Sequence, residues 1–171
     1  MLLLDLLLLG KTSLSIELAK RLNGEIVSSD SMQIYKDMQI GTAKVTKEEM
    51  DGIKHYLVDF VSPDQRYTVS DFKRDSQIAI KEILEKGKTP IIVGGTGLYI
   101  NSLVYGIDYP DMEFDEELRK ELMEKAETEE GLKDLYVEAL KIDPEATKNI
   151  SPNDKKRITR ILEIYKMTRN D

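Results

Sequence analysis

Three short apolar segments, each ending in glycine or polar residues, constrain the fold more than any other feature of this sequence. They cover residues 1–10, 25–28 and 90–93, and the first and third lead directly into helical patterns. Continuous apolar runs bounded by such residues are typical of strands that are covered on both faces. The spacing therefore predicts an α/β fold with a doubly wound parallel sheet, whose binding site lies beyond the carboxyl ends of its strands.

Further elements follow from the same periodicities. The first helix, predicted over 12–23, has an apolar stripe formed by Leu14, Leu18, Ala19 and Leu22, with Gly24 as its left-handed cap. A strand is predicted over 56–60, and Ser70 or Asp71 is expected to cap a helix that runs to Lys86. Two acidic helices come next, over 116–127 and 130–141, and Ser151 is expected to cap the last helix.

These patterns divide the chain into three parts. Residues 1–107 form the predicted α/β core, 108–150 an acidic helical insert or lobe, and 151–171 a basic helix that returns to the core. Because nothing that could close the sheet follows this helix, we expect more protein after it.

Composition limits the classes of site. The chain has no cysteine and one histidine, His55, so thiolate metal sites, disulfides and multi-histidine metal sites are excluded. Asp5 and Gly10 interrupt the leucine-rich start well short of the ~18 apolar residues that a membrane span needs. That start also lacks the features of a secretory signal. We therefore expect a cytoplasmic protein with no membrane partner.

Charge is unevenly distributed along the chain. The formal net charge is −7 overall, −1 over 1–107, −10 over 108–145 and +3 over 151–171. Salt confines the field of each patch to about 10 Å, so an acidic protein can carry a local phosphate-binding surface. The last segment is a candidate for such a surface.

Gly10-Lys11-Thr12 matches the end of a phosphate-binding loop. Backbone N–H groups at the helix start attract an anion, the lysine adds a full charge, and the threonine hydroxyl can bind Mg²⁺. The full loop pattern has a glycine where this chain has Asp5, and the leucines at 6–9 resist positive φ angles. A helix start with a surface lysine explains a bare GKT equally well.

The leucines at 6–9 leave two interpretations of this loop. Either it is altered and binds phosphate weakly, or the residues of this first stretch are misassigned. The intact order of strand, GKT and helix favours the second.

Two further motifs follow the second and third apolar segments. Asp30 comes after a strand that we expect to lie next to the first, which would place its carboxylate near the phosphate loop. Gly94-Gly95-Thr96-Gly97 ends the strand over 90–93, and its glycines allow a ligand or another backbone to approach closely. Asp30 could instead cap a turn, and the glycines could form a tight turn without a ligand.

Together, these motifs indicate a protein family far more specifically than any one of them does alone. GKTSLSIELAKRLNGEIVSSDSMQIYKDMQIGTAK at 10–44, DF at 71–72, GKTPIIVGGTGLYI at 87–100 and SPNDKKRITRILEIYK at 151–166 closely resemble the tRNA dimethylallyltransferase family. The resemblance covers nearly the whole chain after residue 10 and departs at the first turn, where the family has a GPTxxGKT-like loop. Family members are longer, so the resemblance implies an N-terminal part.

The resemblance implies a P-loop NTPase-like fold and a prenyltransferase that moves a dimethylallyl group from its diphosphate to the exocyclic amine of the adenosine beside the anticodon. Asp30 would be the general base, and Thr96 would hold the amine or the leaving group. Gly10, Lys11 and Thr12 would bind the diphosphate, with Thr12 also binding Mg²⁺. The implied tRNA contacts are Asp30, Ser31, Met32, Gln33, Thr96, Arg119, Asn153, Asp154, Lys155, Lys156 and Arg157.

The implied partners are a tRNA anticodon loop and dimethylallyl diphosphate, and we expect the protein to be a monomer. Three alternatives stay open at this point. They are an adenylate isopentenyltransferase that acts on the free nucleotide, a small-molecule P-loop kinase, and a non-catalytic RNA-binding fragment.

Overall fold

The computed structural model describes residues 2–3, 11–38, 41–107 and 115–168. Contacts divide the chain into two compact units, Met1–Asp111 and Met112–Asp171, and each is described by itself. In the described ranges, no helix is both long and apolar enough to cross a membrane.

The first unit alternates strands and helices around a parallel sheet. Its elements are β1 (Leu2–Leu3), α1 (Lys11–Arg21), β2 (Gly24–Ser28), α2 (Lys47–Met50), β3 (His55–Tyr56), α3 (Val69–Glu85), β4 (Thr89–Val93) and α4 (Gly97–Val104). The sheet order is β1-β4-β2-β3, and every pairing is parallel. The predicted α/β fold with a parallel sheet is confirmed.

The predicted neighbour of the first strand was wrong. β4 lies between β1 and β2, with Val93 in register with Leu3 on one side and with Ser28 on the other. The central position suits β4 because its own sequence, TPIIV, is apolar enough to be covered on both faces. As a result, the residues that follow β2 lie directly beside those that follow β4.

Helices pack against both faces of this sheet. Ile26 of β2 contacts α1 through Ile16 and Ala19, whereas the next residue, Val27, contacts Ala79 and Ile83 of α3. Successive side chains of a strand point to opposite faces, so this alternation produces the doubly wound arrangement.

The apolar stripe predicted for α1 was partly wrong. Leu14 and Leu22 are 54% and 41% exposed, and Ile16 is buried instead, with only 8% exposure. The left-handed residue after the helix is Asn23, at φ 48°, and not Gly24. Gly24 already belongs to β2, where an added Cβ would lie 2.8 Å from the Thr89 carbonyl oxygen.

Two boundaries around α3 also differ from prediction. The strand predicted over 56–60 ends at Tyr56, because Leu57 and Asp59 adopt left-handed backbone angles. The cap of α3 is Thr68, which forms a capping box with Asp71. Asp71 thus supports the helix start from its first turn and does not cap it.

The second unit is helical. It contains α5 (Glu116–Lys125), α6 (Glu129–Ile142), α7 (Pro144–Thr147) and α8 (Lys155–Thr168). Its core is built from Leu122, Ala126, Leu135, Ala139, Ile158 and Leu162. The structure therefore groups the basic helix with the acidic lobe, and the division falls at 111/112, where the sequence pattern placed 107/108. Return of this helix to the α/β core stays a prediction.

The start of α8 was predicted three residues too early. The Asp154 carboxylate accepts a hydrogen bond from the Arg157 N–H at 3.1 Å, so Asp154 caps the helix. Ser151 lies before it in a turn, where its hydroxyl accepts from the Asn153 N–H at 3.3 Å.

A buried carboxylate ties the amino-terminal end of β2 to its neighbours. Glu25 is 4% exposed, and its carboxylate accepts hydrogen bonds from Lys88 at 2.7 Å and Tyr56 at 2.8 Å, with Lys86 at 3.4 Å. Burial acts to raise the pKa of Glu25, but the bonds from Lys88, Tyr56 and Lys86 outweigh it, so the pKa lies below its ordinary value.

We expect Glu25→Gln to lower the free energy of unfolding by about 1–3 kcal/mol at pH 7, since it removes a charged acceptor from three donors. A lowered pKa gives stability that is present above the unfolded-state pKa and lost as pH falls through the folded-state value. The difference between variant and parent should therefore shrink in acid. Urea unfolding at pH 7 and in acid measures both effects.

The matched control is Glu85→Gln. Glu85 pairs with Lys81 at 3.9 Å on the surface, and its side chain is 67% exposed, so its loss should change stability by less than about 0.5 kcal/mol. Equal effects of the two substitutions would contradict the role given to Glu25.

Candidate functional site

A cavity of about 70 Å³ lies at the carboxyl edge of the sheet. Its polar lining side chains are Thr12, Ser15, Ser28, Asp30, Gln33 and His55. Thr12 comes from the first turn of α1, and Asp30 comes two residues after the end of β2. The sequence-based expectation that these two side chains face one hollow is therefore confirmed.

Asp30 is fixed by the backbone of its own turn. Its Oδ1 accepts hydrogen bonds from the Met32 N–H at 2.9 Å and the Gln33 N–H at 3.3 Å. The turn-capping alternative is thus also correct, and one carboxylate both caps this turn and lines the cavity. Such fixation gives a reacting group a defined position before substrate arrives.

The segment around Asp30 is joined to the glycine-rich segment by hydrogen bonds. The Ser29 N–H donates to the Val93 carbonyl at 2.7 Å, and the Thr96 N–H donates to the Ser29 carbonyl at 3.1 Å. The Thr96 hydroxyl accepts from the Ser31 N–H at 2.9 Å and donates to the Ser31 hydroxyl at 3.1 Å. Thr96 therefore lies next to the Asp30 turn, although it is not among the side chains that line the cavity.

Gly94 permits the close approach of these two segments. An added Cβ would lie 2.4 Å from the Ser29 carbonyl carbon and 2.6 Å from its oxygen. No side chain fits in that space without backbone movement, so glycine is required here by packing. The expectation that these glycines allow another backbone to approach is confirmed at Gly94.

Gln33 is the last residue of the sequence DSMQ at 30–33. Its side-chain amide donates to the Ala43 carbonyl at 3.2 Å, which ties the turn after β2 to the sequence GTAK at 41–44. Lys44 of that segment is 5% exposed and pairs with Asp59 at 2.6 Å. Met32 is 45% exposed and lies on the surface of the same turn.

The residues predicted to bind phosphate are only partly described. Gly10 lies outside the described residues, and Lys11 is described only as the first residue of α1. Thr12 lines the cavity, and its carbonyl accepts from the Ser15 hydroxyl at 2.8 Å. The start of α1 therefore borders the cavity through Thr12 and Ser15.

Sequence reasoning missed His55 as a site residue, because nothing adjacent to it in the chain carries chemistry. The structure places it in the cavity with Asp30 and Thr12. Burial lowers the pKa of its imidazole, and the hydrogen bond to the Ile53 carbonyl opposes that effect. Predicting its location would have required the parallel register that sets His55 opposite Ile26.

The remaining sequence-predicted residues lie in the second unit. Arg119 on α5 and Arg160 on α8 both approach the buried Glu163 carboxylate, at 3.7 Å and 3.1 Å. At the start of α8, Asn153, Lys156 and Arg157 are exposed, and Lys155 pairs with Glu127 at 2.9 Å. The unit therefore presents basic side chains around the first turn of α8.

A magnesium ion is compatible with the donors in the cavity. Thr12 offers a hydroxyl, which is a hard oxygen donor. Among the described residues no three acidic or histidine side chains cluster as a metal site. Mg²⁺ commonly binds through one or two protein oxygens, substrate phosphates and water, so the donor set fits it.

Comparison with known proteins gives a consistent family. A family model described as IPP transferase matches residues 33–171. The tRNA dimethylallyltransferase of Thermoanaerobacter sp. (strain X514) is 52% identical over 159 residues, which make up 93% of this chain and 50% of that protein. The protein of the same name from Acetivibrio thermocellus is 53% identical over 160 residues, or 94% of this chain and 51% of that one.

Solved structures that resemble this chain come from the same family. The crystal structure of the full-length tRNA isopentenylpyrophosphate transferase from Bacillus halodurans matches with a TM-score of 0.63 and 44% identity, over 98% of this chain and 55% of that one. A eukaryotic dimethylallyltransferase acting on tRNA matches with a TM-score of 0.73 and 33% identity, over 96% and 40% of the two chains. The chain thus spans about half the length of the curated relatives it matches.

The contact at Gly94 makes a prediction about stability. Gly94→Ala should lower the free energy of unfolding by about 1–3 kcal/mol, because the new methyl group forces the backbones at Ser29 and Gly94 apart. Thermal or urea unfolding of the purified variant measures it.

Gly97→Ala is the control within the same motif. Gly97 begins α4, and an added Cβ there meets nothing within 4 Å, so alanine should be neutral or stabilise by up to about 1 kcal/mol. A Gly94 variant as stable as the Gly97 variant would show that the close approach to Ser29 is absent.

Proposed function

This chain belongs to the IPP transferase family, and on that premise we propose that the protein transfers a dimethylallyl group from dimethylallyl diphosphate to the exocyclic amine of the adenosine next to the anticodon of tRNA, at position 37. The observation that carries the proposal is the single cavity shared by Thr12 and Asp30. In this proposal the start of α1 binds the anionic diphosphate and the fixed carboxylate accepts a proton, which are the two chemical functions that this reaction needs.

The diphosphate would bind at the start of α1. In this proposal the fold is P-loop NTPase-like, and Gly10, Lys11 and Thr12 hold the diphosphate. Breaking the allylic C–O bond spreads positive charge over the prenyl group and leaves negative charge on pyrophosphate. Backbone N–H groups and the lysine charge would stabilise that leaving group.

Asp30 would act as the general base. The adenine amine is a weak nucleophile, because its lone pair is delocalised into the ring. A carboxylate within hydrogen-bond reach that accepts a proton as the new C–N bond forms lowers the barrier. The two backbone hydrogen bonds to Oδ1 support this role, since they hold the side chain in the cavity.

Thr96 would assist from the neighbouring segment. Its hydroxyl forms hydrogen bonds with Ser31 and its N–H donates to the Ser29 carbonyl, so it is attached to the turn that carries Asp30. A threonine in this position can hold the amine or an oxygen of the leaving group.

Mg²⁺ is proposed as the cofactor. When bound, it would neutralise negative charge on the diphosphate oxygens. The Thr12 hydroxyl is the residue proposed to hold it. The chain's own contribution is to fix that hydroxyl at the first turn of α1.

The tRNA contacts are proposed on both units. Asp30, Ser31, Met32, Gln33 and Thr96 would surround the target adenosine, which must leave its stack to reach the cavity. Arg119 and the segment 153–157 would bind the RNA elsewhere, and the exposed basic side chains at the start of α8 support that assignment. The names of the relatives support tRNA as the acceptor over a free nucleotide or a kinase substrate.

The first test is Asp30→Asn. Asparagine keeps an Oδ1 that can accept from Met32 and Gln33, but it cannot accept a proton from the amine. We expect the rate of dimethylallyl transfer to fall by about 10²–10⁴-fold while tRNA binding is retained. Single-turnover transfer of radiolabelled prenyl groups to tRNA, with affinity measured by filter binding, separates the two effects.

Asp64→Asn serves as the matched control, because Asp64 is exposed and lies outside the cavity. It should transfer at the parent rate. Parent-like turnover by the Asp30 variant would remove the base assignment, and loss of tRNA binding by that variant would reassign Asp30 to RNA recognition.

A further inference from the structure

His55 is the one histidine of the sequence, and it lies in the proposed catalytic cavity. It begins β3, in register with Ile26 of β2. Residues in register on neighbouring parallel strands project to the same face of the sheet, and Ile26 projects towards α1. His55 therefore lies on the face of the sheet that α1 covers.

One of the two ring nitrogens of His55 already has a hydrogen-bond partner. Its Nδ1 lies 2.9 Å from the Ile53 carbonyl oxygen, and since a carbonyl only accepts, Nδ1 carries the hydrogen. In a neutral ring Nε2 is then an acceptor with a lone pair. Within the described part of the chain the ring makes no other hydrogen bond, which leaves Nε2 for a ligand.

Burial favours a neutral His55 ring while the cavity holds no diphosphate. Of the described side chains that line the cavity, only Asp30 is charged, while those from α1, β2, β4 and the 31–45 loop are neutral: Thr12, Ser15, Ile26, Ser28, Val93, Gln33 and Val45. The neighbouring Lys54 pairs with Glu82 at 3.1 Å and lies over the Tyr56 ring. Burial lowers the pKa of His55 in this setting.

A bound diphosphate changes the balance between the neutral and the protonated His55 ring. It brings several negative charges to the cavity. Among the described residues that line the cavity, His55 is the one that can become a cation. A neutral Nε2 would set its lone pair against an anionic oxygen, whereas a protonated Nε2 donates a charge-assisted hydrogen bond to it. The anion therefore favours the protonated ring.

We propose, resting on the proposed function, that His55 is a further diphosphate-binding residue that takes up one proton from solvent when the diphosphate group enters the cavity, so that Nε2 changes from acceptor to donor. Protonation of His55 and binding of the anion then strengthen each other. The diphosphate should bind the protonated protein about tenfold more tightly, the scale of one charge-assisted hydrogen bond.

The experiment uses the 171-residue chain and inorganic pyrophosphate as the probe. Because the sequence has one histidine, the imidazole C–H resonances in proton NMR report His55 without assignment variants. A pH titration with saturating pyrophosphate should place the His55 midpoint above that in sodium chloride of equal ionic strength. Calorimetry under the same conditions measures whether pyrophosphate binds.

A variant gives an independent readout. His55→Gln can still donate a hydrogen bond but cannot gain charge. The ratio of parent to variant affinity for pyrophosphate should be about tenfold larger at pH 5.5 than at pH 8. The ratio cancels the titration of pyrophosphate itself, and circular dichroism checks that the variant is folded.

The outcomes separate this inference from the proposed function. If pyrophosphate binds while the His55 midpoint stays in place, the role of His55 is overturned and the diphosphate site stands. If pyrophosphate does not bind at millimolar concentration, the diphosphate site of the proposed function fails, and the role of His55 fails with it.

Discussion

The pairing of β2 with β4 is the interaction on which the rest of the first unit depends. These strands are in register over five residue pairs, from Gly24↔Thr89 to Ser28↔Val93. Because the strands are parallel and their last residues are in register, β2 and β4 end side by side at the same edge of the sheet. The hydrogen bonds of Ser29 with Val93 and Thr96 extend the contact past the last strand residues. The Asp30 turn and the glycine-rich segment are thus held together before any ligand binds.

Much of this arrangement can be predicted from the sequence, because it follows from short-range patterns. Apolar runs located the strands that became β2 and β4, and the GKT sequence located the start of α1 within a residue. The rule that parallel sheets bind ligands beyond their carboxyl ends then placed Thr12 and Asp30 in one cavity. That prediction holds although the strand order assumed for it was wrong, since every carboxyl end of a parallel sheet lies on the same edge.

What could not be predicted depends on contacts between distant residues. His55 enters the cavity only because of its register with Ile26, which no local pattern encodes. The buried face of α1 is set by its contact with the sheet, so Ile16 faces the core while Leu14, which belonged to the predicted apolar stripe, is exposed. Caps behave similarly: several residues near the start of α3 can cap a helix, and the capping box selects Thr68 because Asp71 lies three residues later.

Among the described residues, packing against the sheet positions α1. Ile16 and Ala19 of this helix pack against Ile26 and Ile91. A helix placed in this way presents its amino-terminal end at the cavity, together with the partial positive charge of its unpaired N–H groups. The packing of α1 against the sheet therefore determines where the first turn of this helix lies, and with it the position of Thr12 beside the cavity.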